Sequence, residues 1–336
     1  MTGAPRRPAA LRPGDTVAVV SPAAGLAGVY PERLRRAIRV LERRLGLRVV
    51  VMPNATKRRG WTSASIEERV ADLHAAFAEP EIRGIVCSVG GYHSAQLLES
   101  LDMDLVASHP KVFCGYSDIT CLHHALRRCA GFVTFYGPAM LPDFGEWPEP
   151  DEFVLTQFRR AVMETGPLGP LPAPATFMDE HLDWALDGTR PRERQPAQPL
   201  VALRPGLAEG SLLAGCLPSG NLLLGTRWQP PYEGAVLVLE TPPDYNPAAA
   251  DRDLWHLRNA GVLASIAAVV VGRPKGFDER ATRELHEVVL AATAAYAYPV
   301  VANLDAGHTE PMLTLPIGVR ARVDGATVTI LEPGVA

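Results

Sequence analysis

Lysine is almost missing from this chain: of 33 basic residues only Lys57, Lys111 and Lys275 are lysines, and the rest are arginines. Guanidinium forks match phosphate oxygens, so such a set raises the question of a nucleic-acid surface. Basic excess is missing as well. Acidic residues number 37 and the net charge is −4, the wrong sign for a domain that neutralises a phosphate backbone, and no nucleic-acid partner is expected. Long apolar runs are lacking too. The longest uncharged apolar stretch, 261–272, falls short of the roughly 20 residues that span a bilayer, and residues 1–8 carry no apolar leader core. A cytoplasmic chain without a membrane partner is the expectation. The five cysteines, Cys87, Cys114, Cys121, Cys129 and Cys216, are odd in number and form no Cys-x-x-Cys pair, so reduced thiols are expected. There is no His-Glu-x-x-His, no Gly-x-Gly-x-x-Gly and no Walker loop, which leaves neither a metal nor a nucleotide cofactor implied.

What is present is a folded chain of 336 residues, 47% hydrophobic and 21% charged, long enough for two domains. The first half alternates strand-like runs (16–20, 48–52, 82–89, 111–115) with helical ones (31–45, 65–78, 95–101, 119–128). Ser65 with Glu68 three residues on marks a helix start. Arg33, Arg35, Arg36, Arg39, Arg43 and Arg44 recur at helical spacing within 31–45 and read as a solvated face. Such βαβα repetition predicts a parallel sheet covered by helices, of flavodoxin or Rossmann type, with ligands at the carboxyl ends of its strands. Prolines crowd 141–206, a segment that also holds Phe177, Leu182 and Trp184 and is expected to fold partly over a site. Strands at 235–239 and 266–271, helices at 251–260 and 281–295, and a β-like tail predict a second α/β domain with a mixed sheet. The division is 1–165 for the N-terminal domain, 166–200 for a linker and substrate loop, and 201–336 for the C-terminal domain.

The sharpest local feature is Gly115-Tyr116-Ser117-Asp118-Ile119-Thr120, where a buried strand turns at a serine directly into a helix. That is the geometry of a nucleophile elbow, although Ile119 stands where G-x-S-x-G has its second glycine. A plain helix cap at Ser117 or Asp118 is the alternative. The neighbouring strand ends in Ser88-Val89-Gly90-Gly91, so the N–H groups of Gly91 and Asp118 can together form an oxyanion hole, or the glycines merely make a tight turn. A nucleophilic serine needs a base and an orienting acid. His308 sits in a loop after a strand, and Glu240 ends the apolar run Val236-Leu237-Val238-Leu239; either alone is as readily structural. His123 and His124 lie further along the helix and point away from its start.

These segments, together with Phe135-Tyr136-Gly137-Pro138, Gly220-Asn221-Leu222, Gly307-His308-Thr309-x-Pro311 and Leu315-Pro316-Ile317-Gly318, resemble the LD-carboxypeptidase family of serine peptidases over nearly the whole chain. The resemblance implies a triad of Ser117, Glu240 and His308, with the serine from one domain and its partners from the other across a cleft. It also implies an oxyanion hole from the Gly91 and Asp118 backbones, a homodimer, and neither metal nor cofactor. Of its two branches, the murein-recycling one typically has Arg-Gly-Gly-Tyr-Gly at the glycine loop. Here Val89 replaces the arginine, His93 the last glycine, and Ser94 follows, a form closer to the microcin C immunity branch. That branch hydrolyses the bond joining a peptidyl or aminoacyl group to a modified nucleotide, and an aromatic residue on its longer central loop stacks on the base. Trp184 is the candidate for that stacking, with a packing or dimer contact as the alternative. Gly90 and Asn221 are further candidate substrate contacts. The expected partner is thus a small peptide or peptidyl-nucleotide; murein tetrapeptide cleavage and a non-catalytic anion-binding protein are the competing readings.

Overall fold

The computed structural model describes residues 4–186 and 188–336. Residues 1–3, at the start of the first predicted domain 1–165, and residue 187 of the 166–200 segment lie outside them. Strand Thr16–Val20 is buried on both faces at Val17, Ala18, Val19 and Val20, as a central parallel strand must be. It pairs with Arg48–Val51 on one side and Ile82–Cys87 on the other, followed by Val112–Gly115 and Thr134–Tyr136, all parallel. This is the flavodoxin-type order, whose ligand crevice opens where connections leave the first strand in opposite directions. A sixth strand, Leu315–Ile317, comes from near the C-terminus and pairs antiparallel with Thr134–Tyr136.

The second sheet has eight strands. Leu207–Cys216, Val236–Glu240, Ala268–Gly272 and Val300–Leu304 run parallel at its centre. Antiparallel strands flank them, with Arg320–Asp324, Thr327–Ile330 and Gly169–Pro170 on one side and Val201–Arg204 on the other. The architecture is therefore a parallel-rich α/β sheet plus a mixed α/β sheet. No helix among the described residues is long and apolar enough to cross a membrane.

Local sequence chemistry accounts for several element ends. Helix Ile66–Ala78 opens on the reciprocal Ser65/Glu68 box, and helix Pro31–Leu45 stops at Gly46, whose φ is +69°. The helix expected over 95–101 is only the short turn Ser94–Leu97. Asp102 accepts from the N–H groups of Asp104 and Leu105 and starts a separate helix, Met103–Ser108, instead. The reading of the arginines on Pro31–Leu45 as a solvated face fails at Arg33, which is buried. It donates to the carbonyl of Leu141 (2.6 Å) and to Glu146 (2.8 Å).

The two sheets meet behind the Ser117 turn. Cys216 N–H donates to Thr120 Oγ1 (2.9 Å), and His124 Nε2 lies 3.2 Å from the carbonyl of Ala214. His123 bridges Thr134 Oγ1 (2.9 Å) and the carbonyl of Gly115 (2.8 Å). Burial holds both imidazoles neutral, with pKa values pushed down to about 3 for His123 and about 4 for His124. Segment 166–200 is tied down by ions. Arg192 is buried between Glu146 (2.5 Å) and Glu310, and Glu146 also takes Arg33. Met178 and Glu310 exchange backbone hydrogen bonds beside them.

Two predictions follow from this packing. The unfolded chain binds a proton at His124 near pH 6.5, whereas the folded chain does so only near pH 4. The stabilisation it contributes is complete above pH 6.5 and is lost as pH falls toward 4. Urea melts should show the acid-side slope of wild type exceeding that of His124→Gln by about 1.4 kcal/mol per pH unit; identical slopes would contradict the assignment. Arg192→Met strands the buried Glu310 carboxylate and leaves Glu146 with Arg33 alone, and should cost about 3–5 kcal/mol, with faster proteolysis within 178–200. An unchanged melt would show that the network is not stabilising.

Candidate active site

Strand Val112–Gly115 is wholly buried and ends where its neighbour Ile82–Cys87 also ends. Ser117 follows with φ +64°, a left-handed conformation that costs a non-glycine residue energy and must be held by its surroundings. Two hydrogen bonds hold it. Its N–H donates to the Tyr136 hydroxyl oxygen (3.1 Å), and its carbonyl accepts from Thr120 Oγ1 (2.6 Å). The chain then turns once through Ser117–Ile119 and enters helix Thr120–Ala125.

The glycine loop lies against this turn. A Cβ on Gly90 would stand 2.8 Å from Ser117 Cβ, 3.1 Å from its Oγ and 3.3 Å from the Asp118 nitrogen, so glycine is what keeps the space beside those atoms open. Gly91, at φ +152°, takes a conformation that side chains rarely allow. The Asp118 carboxylate clamps the next two residues, with Oδ2 accepting from the N–H groups of His93 (2.9 Å) and Ser94 (2.8 Å). Ser94 Oγ in turn donates to the Asp118 carbonyl (2.6 Å). Burial raises the Asp118 pKa, and these hydrogen bonds oppose the rise.

From the second sheet, Glu240 ends its strand buried. His308 stands in the loop after Val300–Leu304. His308 Nδ1 is 2.7 Å from Glu240 Oε2 and Nε2 is 3.0 Å from Ser117 Oγ. A carboxylate only accepts, so Nδ1 carries the proton and the Nε2 lone pair faces the serine hydroxyl. The other carboxylate oxygen accepts from the Tyr136 hydroxyl (2.6 Å). Burial, and secondly the nearby Glu240, push the Tyr136 pKa up, so the phenol stays a donor. The His308 ring also packs against the edge of Tyr116, with centroids 5.1 Å apart.

Ser117 and His308 open onto a cavity of about 780 Å³. Gly90, Gly91 and Asp118 line it, and so does Trp184 of the 166–200 segment. Trp184 stands edge-on to Tyr30 (5.3 Å), with the Arg33 guanidinium 4.4 Å from its ring centre. Asn221 is placed differently from its expected role. It is not among the lining residues, because its Nδ2 donates to the carbonyl of Asp253 (3.0 Å); its neighbours Ser219 and Leu222 line the wall instead. Sequence reasoning missed Tyr136, which sat in a motif but was given no role, and also Glu310 and Lys275, which line the cavity.

Family models for the LD-carboxypeptidase N-terminal domain and C-terminal domain match residues 17–137 and 209–323. The "Probable murein peptide carboxypeptidase" of Bacillus subtilis is 30% identical, with 98% of this chain and 95% of that protein covered. Among solved structures, an MccF-like protein from Bacillus anthracis is 32% identical with a TM-score of 0.90, covering 97% of this chain and 99% of that one. The microcin C7 self-immunity protein MccF in complex with glutamyl sulfamoyl guanosine is 27% identical, also at 0.90, covering 99% and 100%. With both domains matched in order and with relatives aligned along almost their full length, the chain belongs to the LD-carboxypeptidase family of serine peptidases and is a hydrolase of that kind.

Proposed function

We propose that the cavity hydrolyses an amide-type bond through an acyl-enzyme, with Ser117 as nucleophile, His308 as general base and Glu240 as the orienting acid. The observation that carries the proposal is the unbroken hydrogen-bond chain from Glu240 through His308 to Ser117 at the cavity wall. As Ser117 Oγ bonds to the carbonyl carbon, its proton passes to His308 Nε2, and the imidazolium so formed faces Glu240. The negative charge developing on the carbonyl oxygen falls in the space that Gly90 leaves open, where the N–H groups of Gly91 and Asp118 are the proposed donors. His308 then returns the proton to the leaving nitrogen, and water repeats the sequence to free the acid. The division at 1–165, 166–200 and 201–336 belongs to this reading, with the nucleophile in the first part and its partners in the last.

For the substrate we favour a peptidyl- or aminoacyl-nucleotide of the microcin C type. Val89, the Gly-Gly-x-x-Ser loop and Trp184 on the cavity wall support it, as does the likeness to a protein solved with an aminoacyl sulfamoyl nucleoside. Cleavage of an L,D-murein tetrapeptide is the second reading, favoured by the 30% identical Bacillus subtilis relative.

Ser117→Ala should lower kcat by about a millionfold without unfolding the protein, and a fluorophosphonate probe should label wild type at Ser117 alone. Undiminished turnover would refute the nucleophile. Purified protein assayed side by side on an L,D-tetrapeptide and an aminoacyl sulfamoyl adenylate should cleave the latter faster; cleavage of the tetrapeptide only would reverse the preference. Tyr136→Phe removes a hydrogen bond to a charged group and leaves the Ser117 N–H unpaired. It should reduce kcat about tenfold to a hundredfold with KM little changed; a kcat equal to wild type would show that the phenol positions neither partner.

A further inference from the structure

Both substrate classes share one chemical feature: the leaving portion carries an anion close to the scissile nitrogen. In an L,D-peptide it is the terminal carboxylate, and in an acyl-nucleotide it is the phosphoryl or sulfamoyl group. A cavity built for either needs a cation whose charge is not already taken.

Four cationic side chains line the wall among the described residues: Arg33, Arg58, Arg192 and Lys275. Arg192 is held between Glu146 and Glu310. Arg33 has its charge paired with Glu146 and donates from Nε and Nη2 to that carboxylate and to the carbonyls of Leu141 and Pro142, with its face on Trp184. Arg58 is exposed, in the loop of Gly60 and Trp61. Lys275 is half-buried, and among the described residues its ammonium has no hydrogen bond or ion pair.

Its position follows from the sheet. Strands Val236–Glu240 and Ala268–Gly272 are parallel neighbours with Leu239 opposite Val271, so Glu240 and Gly272 emerge side by side. A Cβ on Gly272 would reach within 2.7 Å of Glu240 Cβ. Three residues beyond Gly272, Lys275 returns to the cavity that Ser117 and His308 share. Desolvation lowers its pKa, as does Arg192, while Glu310, Asp143 and Asp179 act the other way. A desolvated cation that has carboxylates nearby but no hydrogen-bonded counterion gains more from a directly bonded incoming anion than a solvated one does.

We propose that Lys275 is the specificity-determining cation of the site, receiving the anionic group of the leaving portion. The proposal rests on the hydrolase reading of the cavity, and the experiment keeps the two apart. Binding is measured by calorimetry on the Ser117→Ala protein with two matched pairs: an L,D-tetrapeptide acid against its terminal amide, and AMP against adenosine. In at least one pair the anionic member should bind about tenfold to a hundredfold tighter. Lys275→Met or Lys275→Gln should bring that ratio to within about twofold while leaving the neutral member's affinity unchanged, and Lys275→Arg should keep part of it. Which pair responds tells the carboxylate from the phosphoryl source. A ratio that survives Lys275→Met, equal weakening of both members, or no ratio in either pair overturns the proposal. Wild-type turnover of the same peptide and of an aminoacyl sulfamoyl adenylate reports separately on the hydrolase reading, which can fail while the binding ratio stands.

Discussion

Glu240 is a carboxylate buried at the end of a strand, and a buried charge is tolerable only where both oxygens find donors. One donor, His308, comes from its own sheet, and the other, the Tyr136 hydroxyl, comes from the opposite sheet. The same hydroxyl accepts from the Ser117 N–H, so one phenol ties the serine's left-handed backbone to the acid that faces the histidine. Satisfying Glu240 therefore requires the two sheets to be docked in one relative position. That position brings His308 Nε2 to Ser117 Oγ.

A second constraint is ionic. Arg33, Glu146, Arg192 and Glu310 form one buried network that joins helix Pro31–Leu45, the proline-rich segment and the loop following His308. Pairing in low dielectric gives each charge its compensation and leaves Arg33 and Arg192 with no charge to spare for a ligand. On the same wall Lys275 lies within electrostatic reach of Arg192 and Glu310 without a hydrogen bond to either among the described residues. Lysine, the rarer basic residue here, thus stands where an unpaired cation is required, while arginine's fork is used where two carboxylates must be bridged.

Much of this was legible along the chain. The parallel strands announced themselves as short apolar runs, the Ser65/Glu68 box marked a helix start, and the abrupt passage from buried strand to helix marked the Ser117 turn. Elsewhere local pattern misled. Periodicity put Arg33 on a solvated face, because it cannot register that the loop carrying Leu141 and Glu146 would cover that side. Asn221 follows a glycine in a loop-like motif and looked cavity-facing, yet its amide is used by the Asp253 carbonyl of a neighbouring helix. The strand Leu207–Cys216 was not visible, since its first half pairs antiparallel and its second half parallel with different partners.

The sequence by itself determined the element types, the two-part α/β class and the strand–serine–helix turn, because these depend on hydrophobic period and backbone preference within about 20 residues. Tertiary structure alone decided which distant polar atoms meet. Glu240 and His308 are 68 residues apart and His308 and Ser117 are 191 apart. Their hydrogen bonds form only once two sheets have docked, and the same docking lets Tyr136 serve both halves and sets Lys275 on the cavity wall. Hydrogen-bond partners are chosen by proximity in the packed molecule, and no periodicity along the chain encodes that.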